Sequence, residues 1–444
     1  MDTLIQIAQL ILMLSILVIL HEFGHYITAK MFKVRVEKFY LFMDAGFSLI
    51  KKKIGETEWG IGWLPLGGYV KLSGMIDESM DTEAMKSEPQ PWEFRSKPAW
   101  QRLIIMLGGI IVNILLAWFI FTILYSTVGK QYVSTAAVQE NGLAFGSVGK
   151  LAGFEDGDKI LKVDGVYQPR FDRMMLDVLL GQDVEVLRNG KTVKIHLTDE
   201  SIKAIMDKEG RDFIHPMANV TLVDSLWAGH EAIKSGLKVG DSIVGVEGKP
   251  LRYMGQIGEE ADKHSKGKLN IDIKRGHTLM TITTGVDSTG TIGLTQRLPN
   301  KKDFEFTEKF NFFQAIPAAV DESYSLIIYN IKQFKLILRP STGAYKHVTS
   351  VVGIASKLPT YWDWVFFWKF TALFSVGLAF MNILPIPGLD GGHAIFTIAE
   401  MITGKKLSDK AAGVVQTVGM VILLSLMALV MGKDIWLLVK AKFF

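Results

Sequence analysis

The sequence predicts a multi-domain integral membrane protein, a four-span α-helical core carrying two inserted α+β domains, and three observations predict it. Four apolar runs, near 4–26, 102–126, 363–384 and 412–431, are each long enough to cross a bilayer. A polar, glycine-punctuated stretch separates the second run from the third and repeats within itself. The composition agrees, since 444 residues at 49% hydrophobic and mean hydropathy +0.24 are too apolar for one ordinary soluble domain. The absence of cysteine excludes disulfides and thiolate ligands for zinc or iron–sulfur clusters, and is compatible with either side of a bacterial membrane. A net charge of +4 without a long basic run leaves no footprint for nucleic acid.

The first run begins Met1-Asp2-Thr3, without the cations of a secretory leader, and no small-residue cleavage site follows it, so a retained span is expected. It ends in His21-Glu22-Phe23-Gly24-His25. On a helix the two histidines lie one turn apart, about 6 Å along the axis, with Glu22 about 100° round from His21. Two imidazoles in that relation can grip one zinc while Glu22 reaches its water. The bare pattern arises by chance in many chains, but here it falls at bilayer depth. Ionisable groups there cost several kcal/mol unless paired or coordinated, which marks a functional site by default.

Twelve lysines and arginines lie between Lys30 and Arg102 and none in the N-terminal tip, which places that segment in the cytoplasm. Lys405, Lys406 and Lys410 agree, while Lys433, Lys440 and Lys442 run against this; N-out, C-out is the expected topology. Thr57 to Ser73 mixes short apolar runs, glycines and aromatics and predicts a β-hairpin. Such a hairpin could present an edge to an extended substrate or be a surface feature without function; both readings stand. Asp77 to Glu88 is acidic and reads as a solvated loop, and Trp92, Phe94 and Trp100 suit a membrane interface.

From about 128 to 300 the chain becomes polar and rich in short alternating strands. Gly153 to Gly165 (GFEDGDKILKVDG) aligns with Gly236 to Gly248 (GLKVGDSIVGVEG) at a constant offset of 83, with six identities. Each copy is followed by a strand–turn–strand signal, turning at Asn189-Gly190 in the first and Arg275-Gly276 in the second. The repeated pattern resembles bacterial PDZ domains, which implies two such domains at 128–218 and 219–304. PDZ folds bind peptides by adding a strand to a sheet edge; a rigid cap that binds nothing is the alternative. Residues 305–361 read as an amphipathic helical linker, in which Ile316 to Leu338 has the spacing of an amphipathic helix and its cations suit either lipid or a solvated face.

A hydrolytic zinc needs a third protein ligand and an open position. The third apolar run ends in Asn382-Ile-Leu-Pro-Ile-Pro-Gly-Leu-Asp390-Gly-Gly-His393, where prolines and glycines break the helix and a carboxylate sits at depth. Irregular backbone there is tolerated where it lines an enclosed or watery cavity. His21 follows a largely apolar run of 17 residues, Leu4 to Leu20, and Asn382 a comparable run from Trp364, so each lies about 25 Å in, on spans running the same way. Asp390 could complete the set, with His393 as a competing ligand; Asn382 could meet a substrate's backbone amide or cap its helix.

HExxH in the first span, NxxPxPxLDGG in a late span and PDZ-like repeats between them resemble the site-2 protease family of intramembrane zinc metalloproteases, in its bacterial sigma-regulator type. The resemblance covers nearly the whole chain. It implies one Zn2+ held by His21, His25 and Asp390, Glu22 as catalytic acid/base, and Asn382, Gly68 and Tyr69 as substrate contacts, the Gly67-Gly68-Tyr69 hairpin forming a membrane-reentrant clamp. The protease halves would be 1–127 and 362–444. It further implies an inner-membrane enzyme with extracytoplasmic PDZ domains and a catalytic centre near the cytoplasmic side. Its partners would be the lipid bilayer and a pre-cleaved single-span substrate, an anti-sigma factor or a signal-peptide remnant. Two segments depart from the family pattern: Gly109-Ile-Ile-Val-Asn113 lacks a proline, and Ser350-Val-Val-Gly-Ile354 replaces a Gly-Pro-Ile-Gly-Ile. Neither is expected to touch a ligand. A membrane-anchored PDZ scaffold or chaperone with a vestigial metal site is the non-enzymatic alternative.

Overall fold

A computed structural model describes residues 2–65, 67–75, 88–208, 210, 213–227, 229–299, 304–355, 358–406 and 408–443. The acidic stretch expected at 77–88 lies outside these residues up to 87. The chain forms two compact units: Met1–Gly129 with Lys309–Ile331 and Val348–Phe444, and Lys130–Glu308 with Lys332–His347.

In the first unit the four apolar runs are the helices Asp2–Met31, Ala99–Thr127, Trp364–Ile383 and Asp409–Phe443, each long and apolar enough to cross a membrane. The second span is the central one. A Cβ on Gly24 would stand 2.3 Å from the Gly108 carbonyl oxygen, and one on Gly108 would stand 2.5 Å from that of Gly24. First and second spans therefore touch backbone to backbone, a contact only small residues permit. The third span also reaches the second, through Ser375 Oγ donating to the Asn113 carbonyl at 2.7 Å. That third helix starts at Asp363, whose carboxylate accepts from the amides of Val365 and Phe366 at 2.9 and 3.0 Å. It ends as Leu384 turns extended before Pro385, and Gly388 takes φ +101° in the connection. A new helix, Asp390–Thr403, then begins at the acidic residue itself.

Between the first two spans lies a four-stranded sheet in the order β2-β3-β1-β4, with β1 Val36–Leu41, β2 Met43–Ile54, β3 Thr57–Leu64 and β4 Tyr69–Leu72. This corrects the hairpin expected over Thr57–Ser73. β3 and β4 do not pair; β1 lies between them, parallel to β3 and antiparallel to β4. The true hairpin is β2–β3, turning at Gly55 with φ +63°. The sheet buries Val36, Phe39, Val70 and Leu72 against Ala29, Ile105 and Met106 of the first two spans. Phe94 joins this core, whereas Trp92 and Trp100 remain exposed, so only the tryptophans fit the expected interface.

The helix expected over Ile316–Leu338 is Phe312–Ile337. It opens with a capping box, the Asn311 side chain accepting from the Gln314 amide at 2.9 Å and the Gln314 side chain from the Asn311 amide at 3.1 Å. The region 305–361 is therefore not one linker, because Lys309–Ile331 belongs to the first unit and Lys332–His347 to the second.

The second unit contains both sequence copies, each with its own apolar core. The aligned segments form strands Lys159–Val163 and Ser242–Val246, and the predicted strand pairs are Asp183–Arg188 with Lys191–His196 and Lys268–Arg275 with Thr278–Gly285. Each copy also closes on a clamp between a buried aspartate and a partly exposed arginine. Arg188 donates to both Asp158 oxygens at 2.8 and 2.7 Å and to the Gly153 carbonyl at 2.8 Å. Arg275 makes the same contacts to Asp241 at 2.7 and 2.6 Å and to the Gly236 carbonyl at 2.9 Å. The aspartates keep the offset of 83 but the arginines are 87 apart (275 against 188), which hid the clamp from the alignment. Burial alone would raise the Asp241 carboxyl, but its bonds to Arg275 and to the Lys238 amide hold it below the usual range. A lowered folded-state pKa contributes stability above the unfolded value of about 4 and loses it as pH falls through the folded one. Arg275→Met should destabilise the second copy at neutral pH, because it leaves the buried Asp241 carboxylate without its cation. Hydrogen exchange should rise across 221–297 while 143–216 stays protected.

Candidate active site

Among the described residues, His21, His25 and Asp390 form the one set of three histidine or acidic side chains that could hold a metal. Both imidazoles present Nε2, 3.3 Å apart, and Asp390 Oδ2 lies 3.2 Å from that of His21 and 3.3 Å from that of His25. Tetrahedral zinc with ligand bonds of about 2.05 Å has ligands about 3.3 Å apart. The donor set fits as well as the spacing: two imidazoles and a carboxylate leave a fourth position open. Asp390 Oδ2 is buried and no hydrogen bond satisfies it, which suits an oxygen meant for a cation.

Local structure aims each ligand. His21 and His25 face one way because they are four apart on a helix. His25 Nδ1 lies 2.8 Å from the Ile105 carbonyl, so that nitrogen carries the proton and Nε2 keeps its lone pair. Gly109 makes room for both rings: a Cβ there would stand 2.5 Å from His25 Nε2 and 2.6 Å from His21 Cε1. Asp390 starts its helix, where the helix dipole favours a carboxylate. Gly391 and Gly392 let the preceding loop fold back on that start, since their Cβ atoms would fall 2.2 and 2.6 Å from the Leu384 and Ile386 carbonyl oxygens. Arg102 bonds Glu400 at 2.5 Å and ties the base of the second span to the same helix.

The remaining predicted residues divide. Glu22 is on the ligand helix, and its carboxyl interacts with His21, His25, Asp390 and the Val70 backbone. Asn382 Nδ2 lies 3.3 Å from His21 Nε2, so the side chain turns to the metal site instead of capping its helix. Gly68 lies against the first span, an added Cβ being 2.6 Å from Val18 and 3.3 Å from Glu22 Cγ. Tyr69 points elsewhere: its hydroxyl donates to Asp44 at 2.9 Å and its ring stacks on Tyr40. His393 is not in the convergent set. The expectation that the 109–113 segment touches no ligand was wrong. Gly109 underlies both imidazoles, and fully buried Asn113 places Nδ2 3.1 Å from His21 Nδ1. A lone amide in the apolar run after Gly109 was the signal available.

Comparison with known proteins agrees with this geometry. The chain is 27% identical to a Vibrio cholerae protein provisionally named a zinc metalloprotease, over 98% of this chain and 99% of that one. It is 26% identical to the Escherichia coli K12 regulator of sigma-E protease RseP, over 96% and 98%, and 27% identical to the Yersinia pestis protease RseP, over 98% and 99%. Zinc, printed in the name of the Vibrio cholerae relative, is also the ion that the donor set fits. The sequence profile of Peptidase family M50, the site-2 protease family, matches residues 9–426, and the chain belongs to that family.

Proposed function

We propose that this chain is an intramembrane zinc endopeptidase that cuts peptide bonds within transmembrane segments of membrane proteins. The observation that carries the reading is the convergence of His21 and His25, from the first span, with Asp390, from the turn after the third, about 25 Å along helices of membrane length. A vestigial site would be expected to lack a ligand, and this one has its full set.

Zinc held by these side chains supplies Lewis acidity, making a water nucleophilic near neutral pH and polarising the peptide carbonyl. Glu22 takes the proton released by the attacking water and passes it to the departing amine. Asn382, beside the ligands, holds a backbone amide of the substrate. A helical substrate shields its peptide bonds, so it must be extended before the cut. β4 offers the edge for this: it pairs with β1 on one side, and Gly68 and Val70 lie beside Glu22. The exposed Phe47, Leu49 and Ile50 of β2 suit contact with lipid.

The two copies in the second unit act as PDZ-like domains that admit substrates already trimmed by another protease. Their matching strands and Asp–Arg clamps support a common fold. With the enzyme in a bacterial inner membrane, these domains are extracytoplasmic and the zinc lies towards the cytoplasm, as the lysine and arginine distribution favours. The relatives named for sigma-E regulation favour an anti-sigma factor as substrate. The test uses purified chain in detergent with a single-span substrate and reads the cut by mass spectrometry. Cleavage inside the apolar segment, lost with a chelator and restored by zinc, is expected. Cleavage confined to flanking soluble sequence would overturn the reading.

A further inference from the structure

Asn113 has no side-chain atom on the surface, and its two amide atoms are in unlike situations. Nδ2 lies 3.1 Å from His21 Nδ1, while Oδ1 is buried without a hydrogen-bond partner. An orphaned buried amide oxygen is costly, so its retention beside a metal ligand calls for a use.

The use follows from imidazole chemistry. A neutral imidazole has one proton, and whichever nitrogen lacks it is the acceptor or metal ligand. His21 Nε2 lies 3.2 Å from Asp390 Oδ2 and 3.3 Å from His25 Nε2, on the metal side of the ring, and Nδ1 is the nitrogen turned to Asn113. To ligate through Nε2, His21 must carry its proton on Nδ1, and the group facing Nδ1 must then accept.

We infer that Asn113 is a positioning residue for His21, its Oδ1 accepting from Nδ1–H so that Nε2 keeps its lone pair for zinc. A side-chain amide offers a donor and an acceptor of nearly equal shape, so Oδ1 fits facing Nδ1 as Nδ2 does. Ser375 holds the Asn113 backbone from the third span, and Gly109, one turn earlier, keeps the His21 ring within reach. The inference rests on the zinc reading of the site, and its test separates the two.

Zinc affinity would be measured on the full-length chain by competition with a fluorescent chelator, for wild type, Asn113→Leu and Asn113→Asp. Leucine keeps the volume and offers neither donor nor acceptor, and should weaken zinc binding about 10–100-fold. Aspartate accepts from Nδ1–H, and should bind zinc within about threefold of wild type or more tightly. A residue that merely filled space would give the reverse order, because a buried carboxylate costs more than a buried isobutyl group. Equal affinity in the leucine variant, or equal losses in both, would overturn the inference and leave the zinc site standing. If wild type binds no zinc, both fall. Nitrogen-15 NMR of the wild-type imidazoles gives a check independent of variant folding. In the zinc-loaded protein the His21 proton should be on Nδ1, and a proton on Nε2 contradicts the proposal.

Discussion

Replacing Asp390 by alanine is expected to remove zinc and turnover together. A structural zinc site with four protein ligands is worth about 10–16 kcal/mol, so one ligand contributes about 3–4 kcal/mol, or about 10²–10³-fold in affinity. Two imidazoles on one helix would remain, 3.3 Å apart at Nε2, with no third ligand opposite them. Asp390→Asn should behave nearly as badly, because it keeps the shape and loses the charge that balances the cation. The measurement pairs metal content, after dialysis against a chelator of known affinity, with the cleavage rate of a transmembrane substrate. A variant that loses turnover but retains full zinc would remove Asp390 from the ligand set.

A single methyl group on the second span should do comparable damage without touching a ligand. In Gly109→Ala the new Cβ would meet His25 Nε2 at 2.5 Å and His21 Nδ1 at 2.7 Å, well inside van der Waals contact. The rings cannot both retreat and keep their common focus. Zinc affinity is expected to fall about 10–100-fold, and turnover by at least about 10²-fold, the usual effect of displacing a reacting group by about 1 Å. The helix itself should not suffer, since alanine is favoured over glycine in a helix by about 1 kcal/mol. Unchanged circular dichroism with lost zinc is the expected pair of results. Full activity would mean that the second span stands further from the imidazoles than described.

Much of this site was legible in the sequence because its chemistry is local. His21, Glu22 and His25 are one helical turn, and the glycines after Asp390 announce a tight, irregular backbone at a carboxylate. The four spans were legible because twenty apolar residues have few other uses. What the sequence hid depends on contacts between distant segments. The parallel pairing of β1 with β3 inserts a strand between two neighbours in sequence, and no local signal marks it. Arg102 and Glu400 are 298 positions apart. Asn113 resembled one more polar residue in an unusual family segment, and only helix packing brings it to His21. The clamp arginines escaped because the loops ahead of them differ in length by four residues, 87 against 83.

The central claim, that Glu22 moves the proton at a zinc held by His21, His25 and Asp390, is tested most directly by one comparison. Zinc content and cleavage of a transmembrane substrate are measured for wild type and Glu22→Gln purified side by side. Glutamine keeps the size of the side chain and its place against Gly68 and Val70, but cannot accept the water's proton. Equal zinc, close to one per chain, with turnover lower by at least about 10²–10⁴-fold in the variant is the result predicted here. Equal turnover in both, or zinc bound by neither, would contradict it.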